Sequence, residues 1–167
     1  MIKISDSDLR KAAEAGMDEF LALFIDRCWA EMGGELSAEG MAKLNGYQNT
    51  LLAYSIFRNE MNDGGFVQLI QNGYGGYFFR NPFAKVVRQW GARDLSKLVY
   101  AAKDIYQANQ EALERDCTDE EFLERYVDFE VFDELEEKFF MIEEETTAAI
   151  ARFVDENLEL FAEVVAD

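Results

Sequence analysis

The chain has 167 residues, with 34 acids against 16 bases and no histidine, for a net charge of −18. That length fits one domain with a closed core, and 49% hydrophobic residues, including fourteen Phe and seven Tyr, argue against disorder. The lack of histidine removes the commonest general base and metal ligand, and two cysteines make neither a zinc site nor a disulfide framework.

The first residues, Met-Ile-Lys-Ile-Ser-Asp, lack the apolar core of a signal peptide, and no run approaches the ~20 apolar residues of a membrane span. A cytoplasmic protein that does not engage a membrane is expected. Ser5-x-x-Asp8 resembles a capping box and opens a helix to about Ala15. A second helix is expected from Asp18 to Met32, stopped by Gly33-Gly34. Its apolar face carries Phe20, Leu23, Phe24 and Cys28, which makes Cys28 a small buried hydrophobe. Cys117 stands beside Asp116 and near Asp119, whose charge disfavours a thiolate.

Asn45-x-x-Gln48 caps a third helix, whose buried stripe is Thr50, Ala53, Tyr54, Phe57 and Met61, widened by Leu52 and Ile56. This helix runs into Asn59 and Glu60 and stops at Asn62-Asp63-Gly64-Gly65, a helix C-terminus signal. Phe66, Leu69 and Ile70 resume helical spacing, with Gln68 and Asn72 at i,i+4 on a neighbouring face. A polar knot at a helix–helix corner is expected. Glu60 reads either as a buried carboxylate holding backbone N–H groups at the corner or as a perturbed acid in a pocket, and the first reading is adopted. Gly65→Val should then cost several times the stability of Gln71→Ala.

A loop is expected over Gly73–Arg80. Asn81 as N-cap and Pro82 at the first helical position start a helix on Phe83, Val86, Val87 and Trp90, ended by Gly91. Asp94 is expected to cap a long helix carrying Leu95, Leu98, Val99, Ala102, Ile105, Tyr106 and Leu113. Thr118-x-x-Glu121 is a second capping box, opening a helix with Phe122 and Tyr126. Two further segments are built on Phe132, Leu135, Phe139 and Ile142, and on Ile150, Phe153, Val154 and Leu158. The sum is a single all-α domain over residues 1–167, with about seven to nine helices.

The stretch Glu60-x-Asn62-x-Gly64-Gly65-Phe66-x-Gln68, followed by Asn72, a Gly-rich run and an amphipathic helix ending Trp90-Gly91-Ala92, resembles a bacterial family named after a DNA-mimic protein. The likeness is good from Leu44 to Lys103 and recurs weakly at Phe132–Phe140, which gives a family-like core over about residues 44–161. Residues 1–43 carry none of it. The resemblance implies a non-enzymatic binding module that presents duplex-like negative charge to a basic DNA-binding protein, such as a transcription or nucleoid protein, without itself binding nucleic acid.

The charge is uneven. Residues 1–110 hold 13 acids and 12 bases, whereas residues 111–167 hold 21 acids and 4 bases, a net of −17. Arg80, Lys85, Arg88, Arg93, Lys97 and Lys103 form a basic run interrupted only by Asp94. The acids can be the solvated face of C-terminal helices, partly paired with these bases, or a presented surface. As one helix the 57 residues would span roughly 85 Å, about one net charge per 5 Å, against ~1.7 Å for duplex DNA. Three side-by-side helices of roughly 29 Å would approach the duplex value, and a homodimer would double the surface. The candidate partner-binding acids are Glu120, Glu121, Glu124, Asp128, Asp133, Glu134, Glu136 and Glu137.

No EF-hand register fits, since a glycine at Gly64 would put ligand positions on Met61 and Ile70. No dinucleotide fingerprint, P-loop or nucleophile elbow is present. No cofactor, metal, thiol chemistry or catalytic residue is expected. Two other classes stay open: an immunity-type antagonist of a basic toxin such as a nuclease, and a small-molecule or catalytic role at Glu60.

Overall fold

The helix starts follow their caps. In the computed structural model, which describes residues 2–167, Ser5 Oγ accepts from the Asp8 N–H at 3.1 Å and opens α1 (Asp6–Ala15). Helix α2 (Met17–Met32) ends on Gly33, whose φ of +87° closes the last turn. A short α3 (Ala38–Ala42), capped by Ser37, was not anticipated. Asn45 and Gln48 cap α4 (Gly46–Asp63) reciprocally, each backbone N–H donating to the other side chain at 2.9 Å.

Past the corner come α5 (Gly65–Leu69), a π-helical turn (Ile70–Tyr74) and α6 (Gly75–Phe79). The expected loop over Gly73–Arg80 is therefore largely helical. Its aromatic residues explain this: Phe78 and Phe79 are buried, and a Cβ at Gly75 would come within 2.8 Å of the Tyr106 ring. Helix α7 (Phe83–Gln89) starts one residue later than expected, with Pro82 as the cap and Asn81 Oδ1 accepting from the Phe83 N–H. Helix α8 (Arg93–Glu114) has no side-chain cap. Asp94 lies inside its first turn, where its charge favours the helix N-terminus without capping it.

The second capping box forms as read: Glu121 accepts from the Thr118 N–H at 2.9 Å and opens α9 (Asp119–Asp128). A 3-10 turn (Glu130–Phe132) leads into α10 (Asp133–Glu156). This single helix replaces the two segments expected there, followed by α11 (Leu158–Phe161). The polar run at residues 143–147 interrupts the apolar spacing, yet no Gly or Pro breaks the helix, and buried Thr147 places its hydroxyl 2.6 Å from the Tyr54 hydroxyl. Two short strands also escaped the sequence reading: β1 (Lys3–Ser5) pairs in parallel with β2 (Glu163–Val165) in the register Ile4↔Val164.

The architecture is all-α apart from that ribbon. Contacts group the described residues into two compact units, one running up to Ser55 and resuming at Thr147–Asp167, the other Ile56–Thr146. In the first unit, Phe24 meets Phe20 and Phe161 edge-on at 5.2 and 6.3 Å, and Gln48 Nε2 donates to the Phe161 carbonyl at 2.7 Å. The second is centred on Phe57, fully buried, with Phe66, Phe78, Phe83 and Phe139 around it at centroid distances of 5.4–6.0 Å. Cys28 is buried on the expected face of α2, and burial pushes its thiol up to about 12, so it packs as a hydrophobe. Among the described residues no helix is long and apolar enough to cross a membrane.

Candidate functional site

Two sequence features could carry function, the corner at Gly64-Gly65 and the acids after residue 110. At the corner, Gly64 has an extended φ of −169°, which any residue adopts, and Gly65 has φ of +81°, which favours glycine. Gly65 thus makes the turn. A Cβ there would also overlap the Glu136 carboxylate, which accepts from the Phe66 N–H at 2.8 Å. The Tyr126 hydroxyl donates to the Gly64 carbonyl at 3.0 Å, so side chains from α9 and α10 hold the backbone of the bend. Phe66 is fully buried and stacks on Phe132 at 5.2 Å.

Glu60 does not hold backbone N–H groups, as had been expected. It is half-buried and accepts from the side-chain amides of Asn72 at 2.8 Å and Gln68 at 3.4 Å. The backbone role belongs to Glu136, seventy positions from Phe66, and nothing in the sequence marks the two as partners. Burial pushes the Glu136 carboxyl above its ordinary range and Asp133 adds to the rise, while the Phe66 N–H opposes it. Asn62 and Arg58 both donate to Glu143, at 3.4 and 2.6 Å. Every motif side chain named here is thus tied into its own unit.

Gln71 is not the inert neighbour the sequence suggested. Its amide donates to the carbonyls of Leu113 and Arg115 at the end of α8, and the Cys117 thiol lies 3.5 Å from its Oε1. Arg125 converges on the same two carbonyls. The residue is 4% exposed and, among the described residues, has no carboxylate within ion-pair distance. A cation suits the partial negative charge of a helix C-terminus, which is what Arg125 finds there. Sequence reading counted Arg125 only as one of four bases in an acidic stretch. Its place at i+4 from Glu121 gave no sign of burial.

The acids after residue 110 are arranged differently. All are exposed except Glu136 and Glu143. Glu120, Glu124 and Asp128 follow one another at i,i+4 along α9, beside an apolar row of Leu123 and Val127 that is 66% and 73% exposed. Glu121 is partly committed to its cap. Asp133, Glu134 and Glu137 are exposed on the first turns of α10, with Lys138 3.5 Å from Glu134.

Apart from Arg80, whose charge reaches Glu114, the basic run does not neutralise them. Lys85, Arg88, Arg93, Lys97 and Lys103 form no ion pair among the described residues. The pairing of the α7 and α8 bases with C-terminal acids, part of one of the two readings of those acids, is therefore not formed. Nor are the three side-by-side helices assumed for the charge estimate. Helix α9, ten residues or roughly 15 Å long, holds five acids and the buried Arg125, about one net charge per 4 Å. That is sparser than a duplex.

The description "DMP19-like protein" fits residues 42–157, from the last residue of α3 to just past the end of α10. The chain is 30% identical over 139 residues to the DNA mimic protein DMP19 of Neisseria meningitidis serogroup B (strain ATCC BAA-335 / MC58), covering 81% of this chain and 83% of that protein. The chain belongs to the DMP19-like family. The match to this DMP19-like chain takes in both the corner and the exposed acids of α9 and α10, so the likeness seen first around Glu60 extends to the charged surface.

Proposed function

We propose that this chain is a non-enzymatic acidic binding module whose surface on α9 and the first half of α10 occupies the DNA-binding face of a basic DNA-binding protein. The observation that carries this reading is how few of these acids are neutralised internally, with Arg80 near Glu114, Lys138 beside Glu134 and Arg58 on Glu143 as the exceptions. The acids of residues 111–146 are exposed, apart from Glu136 and Glu143, and the five basic side chains of α7 and α8 do not pair with them. A relative that is itself named a DNA mimic supports the same reading. The charge spacing along α9 is wider than that of a duplex, so one helix is not enough. The acids of α10, or a second copy of the chain, supply the rest.

Such a protein works in the cytoplasm, where its partner is found, and does not bind nucleic acid itself, because like charge repels it. Recovery of a partner by co-purification from the native cell, followed by competition with duplex DNA, tests the proposal. The partner should be displaced from labelled duplex by this chain, with a salt dependence that is steep yet shallower than for DNA, since folded carboxylates release fewer condensed counterions. A partner that binds this chain and duplex at the same time overturns the reading. A partner that is a nuclease toxin turns it into an immunity-type antagonist.

A further inference from the structure

We propose that a groove between α8 and α10, in the Ile56–Thr146 unit, binds a small amphipathic carboxylate, an organic acid with an apolar tail or ring. The groove has a volume of about 440 Å³, within the range of small-molecule sites of roughly 300–1,000 Å³. Its apolar floor is formed by Leu98 and Ala101 of α8 and by Leu135 and Ile142 of α10. Leu98 and Ala101 lie at i,i+3, and Leu135 and Ile142 at i,i+7 with Lys138 between them, so each helix turns one face to the groove.

The polar lining is unlike the surface around it. Lys97 enters from α8 and Lys138 from α10, and Asp94 is the single acid among the lining residues. Lys138 is one of only four bases after residue 110, and it lies on this groove. Lys97 has no ion-pair partner among the described residues. Lys138 has Glu134 at 3.5 Å, but both side chains are more than half exposed, so that contact is weak and leaves the ammonium available. Asp94 sits in the first turn of α8, whose partial positive charge already favours it.

Two ammonium groups beside an apolar floor, one from each helix, match a carboxylate that pairs with both, while its hydrocarbon part covers the four apolar side chains. A cationic amphiphile would bring a like charge to both lysines. A polyol or nucleotide would leave its hydroxyl groups without partners over the apolar floor. The groove shares α10 with the proposed acidic surface, but it does not rest on the DNA-mimic reading, and its test reads octanoate alone.

The test uses octanoate, with octylammonium as the charge-reversed control, and follows backbone amide shifts by NMR during titration. Octanoate should saturate, with its largest shifts at Leu98, Ala101, Leu135 and Ile142, and octylammonium should not saturate over the same range. Lys97→Gln with Lys138→Gln should weaken octanoate binding roughly tenfold or more, as expected on losing charge-assisted contacts. Both lysines are exposed, so the double variant should keep the wild-type spectrum without ligand. The proposal is overturned by absence of octanoate binding, by equal binding of octylammonium, by shifts centred elsewhere, or by undiminished octanoate affinity in the double variant.

Discussion

The corner at Gly64-Gly65 and the exposed face of α9 are both dense in polar side chains, and they treat them in opposite ways. At the corner, Glu60 receives two amides, Glu136 a backbone N–H, and Glu143 an amide and a guanidinium. On α9, Glu120, Glu124 and Asp128 have neither a hydrogen bond nor an ion pair to the described residues, and they face solvent. A motif of unusual residues therefore marks the fold's joint, whereas an unremarkable run of acids makes the surface a partner can reach. Groups satisfied internally stabilise the chain, and groups left to water are free to bind.

The sharpest way to break this contrast is Gly65→Val. A β-branched residue at φ +81° is strained, and its side chain would displace Glu136 from the Phe66 N–H. A loss of about 3 kcal/mol or more is expected in urea denaturation. Gly64→Val should cost less, because Gly64 has an extended φ and the nearest atoms its Cβ would meet belong to the Gln68 side chain, not to a carboxylate that holds the bend. Asn59→Ala, at an exposed position of α4, is the control. Equal losses at Gly64 and Gly65 would mean that the turn is not made by the left-handed residue.

Arg125→Met comes next. It keeps the apolar stem and leaves the Leu113 and Arg115 carbonyls to Gln71 alone. A loss of roughly 2–3 kcal/mol is expected, with the effect of Gln71→Ala smaller in the wild-type background and larger in the Arg125→Met one. Strict additivity of the two changes would show that they do not share the α8 terminus.

Glu136 separates charge from hydrogen bonding. Its carboxyl is raised by burial, so the folded state holds that proton more tightly than the unfolded chain. The contribution of the ionised group is thus unfavourable, absent below the ordinary carboxylate range and growing as pH climbs through the raised value. Glu136→Gln keeps an oxygen for the Phe66 N–H and removes the charge. Its stability relative to wild type should rise from pH 4 to pH 7, and Glu136→Ala, which removes the same charge, should follow the same trend while staying about 1 kcal/mol below the Gln variant. A flat pH dependence of the difference between Gln variant and wild type contradicts this account.

Much of the fold was legible because its signals are local. The Asn45/Gln48 and Thr118/Glu121 boxes, Gly33 and the apolar stripe of α4 each concern residues a turn apart. What escaped depends on residues far apart in the chain. Glu136 meets Phe66 across seventy positions, Thr147 meets Tyr54 across ninety-three, and Ile4 faces Val164 across nearly the whole chain. The helical conformation of Gly75–Phe79 likewise needs Tyr106, whose ring takes the space beside Gly75. The asymmetry of charge was plain in the sequence. Which acids remain available was not, since Glu121 and Glu136 look like their neighbours until the cap and the Phe66 contact are seen.

That distinction sets the smallest expected effect on stability. Glu120, Glu124, Asp128 and Glu137 are four exposed acids of α9 and α10 that hold nothing in place, so their joint replacement by Gln or Asn should change stability by no more than about 0.5 kcal/mol, or raise it slightly by relieving repulsion. Glu121 is left out because its carboxylate accepts from the Thr118 N–H, and its loss would mix a capping cost into the result. With a partner in hand, the same variant should associate more slowly and show a weaker salt dependence, while dissociation changes less, as expected when charges steer an encounter more than they lock a complex. Neutralising Glu14, Glu31, Glu35 and Glu39, four exposed acids of the first forty-three residues, is the matched control and should leave association unchanged. A stability loss above about 1 kcal/mol in the α9–α10 variant would place these acids among the groups that hold the fold and erase the contrast with the corner. Unchanged stability with unchanged association would leave the contrast standing and remove the acids from the binding surface.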